Sequence, residues 1–214
     1  MNDQTFKPLS DPSAWYGGDF EADRTWEYQL DDDHIAELAQ ALAAVKDRGL
    51  ALARIGPDDF PLPTLSARLK SLGDDLRTGR GFALVRGFPV EGFSTEDLSL
   101  MYYGLCRHIG TAMTQNSDGG LIHYVTDGAL KPNQGKRGVG FPQRSRLHVD
   151  LTDIVSLLCV RQAADDPHSQ LASAITLYNE ILKRRPDLLP LLFEGFEWDR
   201  MDEHGKGESP TSGY

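Results

Sequence analysis

Residues 154–160 read Ile-Val-Ser-Leu-Leu-Cys-Val, and this run restricts the possible folds of the chain more than its overall composition does. It is far too short to span a bilayer, which takes about 20 apolar residues. Its length and branched side chains fit a strand, and the near-absence of polar positions predicts that both faces are covered. Just before it stand Arg146-Leu147-His148-Val149-Asp150. On a strand, residues two apart share a face, so His148 and Asp150 can be directed at one ion. That is two thirds of the 2-His-1-carboxylate ligand set of non-haem Fe(II) sites. The spacing alone decides nothing. Six histidines in a chain with 32 acidic residues among 214 give roughly one H-x-D/E by chance, and a hydrogen-bonded pair without metal fits equally well.

The chain ahead of this run has a different period. Asp31–33 offer an N-cap, Ile35, Leu38, Leu42 and Val45 fall on one helical face, and Gly49 stands where a C′ glycine belongs. Leu65, Leu69, Leu72 and Leu76 mark a second helix that ends near Gly79. Residues 81–87, bounded by glycines, read as a short buried strand. Ser94 with Asp97 forms a variant capping box for a third helix carrying Leu98, Met101, Leu105 and Ile109. Residues 121–126 read as a strand and 127–145, with four glycines and two prolines, as a long loop of the kind that covers active sites. Ser173 can cap a helix with Leu177, Ile181 and Leu182, and Pro186 opens another that Gly195 closes. Residues 196–201 suit one more strand, and 205–214 a disordered tail. The aromatic opening (Trp15, Tyr16, Phe20, Trp26, Tyr28) suits packing over a core.

Charge excludes some partners. With 22 basic and 32 acidic residues the net charge is −10, which argues against sequence-independent nucleic-acid binding. An anionic substrate would need a local basic pocket, for which Arg137, Arg144 and Arg146 are the candidates. Cys106 and Cys159 lie in apolar patterns and read as core thiols of a reducing compartment. The first residues lack a signal-peptide order and no apolar run is long enough for a membrane span, so the expected location is cytoplasmic.

Four stretches in order, RGFALVRGFPVEGFSTEDLSLMYYGLCRHIG (80–110), TQN (114–116), LHVDLTDIVSLLCVRQA (147–163) and ASAITLYNEILKRRPDLL (172–189), resemble the taurine dioxygenase/TfdA-like (TauD/TfdA) family. The resemblance covers about residues 10–203, and the H-x-D followed by the apolar run and the Ser173…Tyr178-Asn179-Glu180 helix start is its most specific part. It implies an α+β fold, a double-stranded β-helix (jelly roll) with flanking helices, with 1–80 packing on the core and 81–204 forming part of the oxygenase domain. It also implies oxidation of a small substrate using O₂, Fe(II) and 2-oxoglutarate, with no nucleic acid or membrane partner. Residue by residue, His148 and Asp150 match the first two iron ligands, and Ser169 the hydroxyl that reaches the 2-oxoglutarate carboxylate. Gln115 and Asn116 match a polar pair near the pocket, and Arg144 is the candidate for an anionic substrate.

The family's distal histidine and its 2-oxoglutarate-binding arginine come from the last third of the domain, which this chain is expected to lack. Asp166-Pro167 replace a usual glycine pair ahead of Ser169. His204 follows Asp150 after 53 intervening residues, but its neighbours show no strand period and no arginine follows it. His34, His108 and His123 sit in helix or strand patterns and read as structural, and His168 as solvated. Two readings follow: an Fe(II)/2-oxoglutarate dioxygenase, or a non-catalytic remnant or split-gene fragment of one. An incomplete jelly roll would expose sheet edges, so self-association through them is expected.

Overall fold

The computed structural model describes residues 5–115, 118–125, 147–150, 152–162, 164, 168–200 and 204–212. The chain divides into two compact units, one of residues 9–113 and 149–177, the other of 1–8, 114–148 and 178–214.

The first unit is built on three helices. Helix α1, Asp32–Asp47, starts where Asp31 accepts a hydrogen bond from the His34 backbone N–H, and it buries His34, Leu38, Ala41, Leu42 and Val45. It stops at Arg48, after which Gly49 takes φ +59°, the left-handed turn that glycine adopts without a Cβ clash. Helix α2, Leu65–Thr78, has no cap from its own Thr64 side chain. Glu37 of α1 caps it instead: its carboxylate accepts from the backbone N–H of Thr64 (2.9 Å) and Leu65 (3.2 Å), and from the Thr64 hydroxyl. Helix α3, Thr95–Arg107, opens with the Ser94/Asp97 capping box expected from sequence. Lys46 at the end of α1 forms an ion pair with Asp97 at the start of α3.

Two three-residue strands complete this layer. β1 (Glu27–Gln29) and β2 (Leu84–Arg86) pair in parallel, with Tyr28 opposite Val85. The strand expected over 81–87 is present but is not buried, since Leu84 is 37% exposed. Its partner β1 lies in a stretch without visible periodicity, where only the pairing reveals it. The opening aromatics do pack over this layer: Phe82 meets Trp15, Phe20 and Trp26 with ring centroids 4.9–5.7 Å apart, in edge-on or tilted geometry. Among the described residues, every buried apolar side chain except Leu189 lies at or before residue 105. The well-packed core is therefore the helical part of the chain.

Beyond residue 113 the structure departs from expectation. Among the described residues of 121–125, 147–150 and 154–160 there is no strand. The run 154–160 is also not covered on both faces: Val155, Leu157 and Val160 are 52%, 81% and 53% exposed. The physical reason is that a strand needs a partner for its N–H and C=O groups, and no backbone hydrogen bond among the described residues joins this run to another segment. Residues 127–145 lie outside the described residues.

Helix α4, Ala174–Arg184, begins as expected after Ser173, whose hydroxyl oxygen accepts from the Thr176 N–H at 2.9 Å. Within the first unit this turn is tied to the N-terminal aromatic stretch, Ser173 donating to the Ser13 carbonyl (2.5 Å) and Thr176 to that of Trp15 (2.9 Å). In the second unit, Pro186–Leu188 form a 3-10 turn leading into α5, Leu189–Phe193. There Phe193 packs on Phe6 and Tyr178, and the Tyr178 hydroxyl donates to the Lys7 carbonyl. Among the described residues of the strand expected over 196–201, namely 196–200, one antiparallel bridge joins Asp199 and Thr211. Of the tail expected to be disordered over 205–214, the described residues 205–212 fold back through a 2.9 Å Arg200–Glu208 ion pair and reciprocal bonds between Trp198 and Ser212.

Candidate functional site

The residues singled out from sequence are on the surface where they are described. His148 and Asp150 are both exposed. His148 closes a stretch of one unit and Asp150 falls at the start of a stretch of the other, 149–177. Ser169 is exposed, as is Gln115, whose backbone N–H donates to the Gly120 carbonyl at 2.6 Å. Asn116, Arg137, Arg144 and Arg146 lie outside the described residues.

The remaining histidines are accounted for by local structure in two cases. His34 is buried at the third position of α1, where its ring meets Asp31 in a capping box. His108 closes α3, and its Nε2 lies 2.8 Å from the Phe60 carbonyl oxygen. His204 is half-buried, with Nδ1 3.3 Å from the Gly205 carbonyl and Glu208 nearby. His123 and His168 are exposed.

A facial triad needs three donors. Among the described residues no group of three His, Cys, Asp or Glu side chains could hold a metal ion. The donor types at 148 and 150 suit ferrous iron, but two donors do not make a site of that kind. The described residues on their own therefore do not fit the ion.

A cluster that the sequence did not reveal lies just downstream, within the first unit. The Ser156 hydroxyl is 3.6 Å from the Cys106 thiol of α3, and Tyr102, one turn earlier on the same helix, hydrogen-bonds both. Burial pushes the Tyr102 hydroxyl up to about 12 and also raises the Cys106 thiol. Both groups thus keep their protons at neutral pH, which makes them hydrogen-bonding anchors rather than bases or nucleophiles. Their effect is positional: they fix residue 156, six positions after Asp150, against α3. Cys106 looked like a plain core thiol because its partner is 50 residues away. No local period reports such a contact.

Comparison with known proteins agrees with the order of motifs. The family model described as "Taurine catabolism dioxygenase TauD, TfdA family" matches residues 46–212. FR-33289 synthase of Streptomyces rubellomurinus is 30% identical over 207 residues, covering 96% of this chain. Taurine hydroxylase-like protein SAT17 of Stachybotrys chartarum is 28% identical over 199 residues, covering 89%. The chain spans 61% and 52% of the length of these two relatives. With the match extending over His148, Asp150 and the segments on both sides of them, the chain belongs to the TauD/TfdA dioxygenase family.

Proposed function

We propose that this chain carries part of an Fe(II)- and 2-oxoglutarate-dependent dioxygenase site that hydroxylates, or oxidises at a related C–H bond, a small and anionic substrate. The carrying observation is the family match over 46–212, with the H-x-D pair inside it. In this reading the His148 imidazole and the Asp150 carboxylate are the chain's two donors to iron. A third donor comes from outside the described residues. The Ser169 hydroxyl hydrogen-bonds the 2-oxoglutarate carboxylate. Gln115, Asn116 and Arg144 face the substrate, Arg144 as a bidentate partner for a carboxylate or sulfonate. When bound, the ferrous ion would supply O₂ activation coupled to 2-oxoglutarate oxidation. The residues above bind and orient.

The test is succinate release from 2-oxoglutarate on adding Fe(II), compared between the parent chain and His148→Ala. Loss of release in the variant is expected, and undiminished release would overturn the assignment. A second reading is that the polypeptide by itself is non-catalytic, the remnant or one piece of a split dioxygenase. The absence of a three-donor group among the described residues favours it. Calorimetric titration with Fe(II) in the presence of 2-oxoglutarate separates the two. Tight one-to-one binding supports the active enzyme, and absence of binding supports the second reading.

A further inference from the structure

Among the described residues two polar side chains are buried, His34 in its capping box and Ser173. The Ser173 hydroxyl serves two partners. It donates to the Ser13 carbonyl at 2.5 Å and accepts from the Thr176 N–H at 2.9 Å. One oxygen therefore caps α4 and ties down the N-terminal stretch, because a hydroxyl whose proton points at Ser13 leaves its lone pairs to the N–H group. Thr176 adds a second tie, its own hydroxyl donating to the Trp15 carbonyl at 2.9 Å. A local turn presents these two carbonyls. The Asp11 carboxylate accepts from the Ser13 N–H (2.8 Å) and hydroxyl (2.6 Å), and the Ala14 N–H closes onto the Asp11 carbonyl.

The same stretch is fastened to the far end of α2. The Trp15 indole N–H donates to the Arg80 carbonyl at 2.8 Å, and its ring meets Phe20 and Phe82 edge-on. The Arg80 guanidinium reaches the Thr25 hydroxyl (2.9 Å) and pairs with Asp75 of α2 (2.9 Å). Trp15 thus holds α4 with its backbone and residues 80–82 with its side chain. No residue of 11–26 is buried, whereas Leu38, Val45, Phe60, Leu65, Leu69 and Met101 close the helical core without it. The stretch can come away while that core stays shut, and elements held in this manner open below the free energy of global unfolding.

We propose that residues 11–26 are a strap that docks and releases together with the first turn of α4, with Trp15 and Ser173 as its latch. The shared hydroxyl couples the two events: releasing the strap loosens the cap, and losing the cap loosens the strap. Ser169, given a cosubstrate role above, lies four residues ahead of Ser173, so a closed strap fixes one end of its segment. The strap stands on these bonds and is independent of that role.

Native-state hydrogen exchange of the 214-residue chain, followed by NMR, tests this at the Leu177 amide, which donates to the Ser173 carbonyl. Trp15→Leu changes nothing in α4 itself. It should speed exchange at Leu177 on the order of tenfold, through loss of one hydrogen bond and its edge-on ring contacts. Amides of α1 and α3 should keep their rates. Ser173→Ala should also speed exchange, and the double variant should fall short of the product of the single effects, because both remove one shared interaction. Thr176→Val removes only the tie to Trp15 and should act in the same direction, more weakly. An unchanged rate at Leu177 in Trp15→Leu would overturn the proposal, since α4 would then be held without the strap. Equal acceleration in α1 and α3, or a double variant equal to the product of the singles, would overturn it too. So would global unfolding of Trp15→Leu combined with an unchanged rate in Thr176→Val.

Discussion

At the scale of single residues, Gly104 shows how packing can reverse a helix propensity. It lies in the middle of α3, where replacing glycine by alanine ordinarily stabilises by about 1 kcal/mol. A Cβ at this position would run into the ring of Phe60, one of the fully buried side chains. Overpacking costs typically 1–3 kcal/mol, so the clash outweighs the propensity. Gly104→Ala should lower stability by up to roughly 2 kcal/mol in urea denaturation, the difference of those two effects. A stabilised variant would show that α3 and Phe60 are not in contact. The two cysteines offer a second measurement. Burial raises the Cys106 thiol, whereas Cys159 is exposed. Labelling of the native protein with a thiol reagent near pH 8 should modify one thiol quickly and the second only on unfolding, because the thiolate is the reactive form. Fast modification of both would contradict the placement of Cys106 against Ser156.

At the scale of elements, the helical unit is joined by caps that cross from one helix to another. Burial would raise Glu37, but the Thr64 hydroxyl and the N–H groups of Leu65 and Thr64 outweigh it and hold the carboxyl below its ordinary value. Asp97 is lowered by Lys46 and Ser94, and Asp59 by the Gly56 N–H and Arg48. Carboxylates with lowered folded-state values stay ionised after the unfolded chain has begun to take up protons. Their contribution is present above the unfolded value, about 4, and is lost as pH falls through the lower folded values. Thermal stability should therefore decline on acidification below about pH 4. Glu37→Gln should show a shallower decline, and an unchanged slope would remove Glu37 from the linkage. Glu37→Ala should cost about 1 kcal/mol, as loss of an N-cap does, read from the urea midpoint. Sequence alone showed that α2 existed. It did not show what capped it, because the cap comes from 27 residues upstream.

At the scale of the whole molecule, apolar exposure is concentrated in the later part of the chain: Leu147, Val149, Leu157, Leu171, Phe193 and Phe196 are all more than half exposed. The net charge of −10 opposes association of such surfaces by mutual repulsion. That protection vanishes at the isoelectric point of about 5.0. Light scattering against pH should peak close to this value and fall on either side. A flat profile would mean that the apolar residues are covered in solution. Among the described residues no helix is long and apolar enough to cross a membrane.

The helices were legible because each combines a 3.6-residue apolar stripe with a cap a few positions away: Asp31 and Gly49 for α1, Ser94 and Asp97 for α3. The candidate iron ligands were legible because His148 and Asp150 are neighbours on the chain within a recognisable order of motifs. Periodicity could not determine whether residues 147–160 become a strand, because strand formation depends on a hydrogen-bonding partner elsewhere. Nor could it show that Ser156 rests on Cys106 or that Glu37 caps α2. The sequence on its own determined the helices and the family. The tertiary structure decided which segments are covered, since burial and pairing are set by residues tens of positions away, and local pattern carries no record of them.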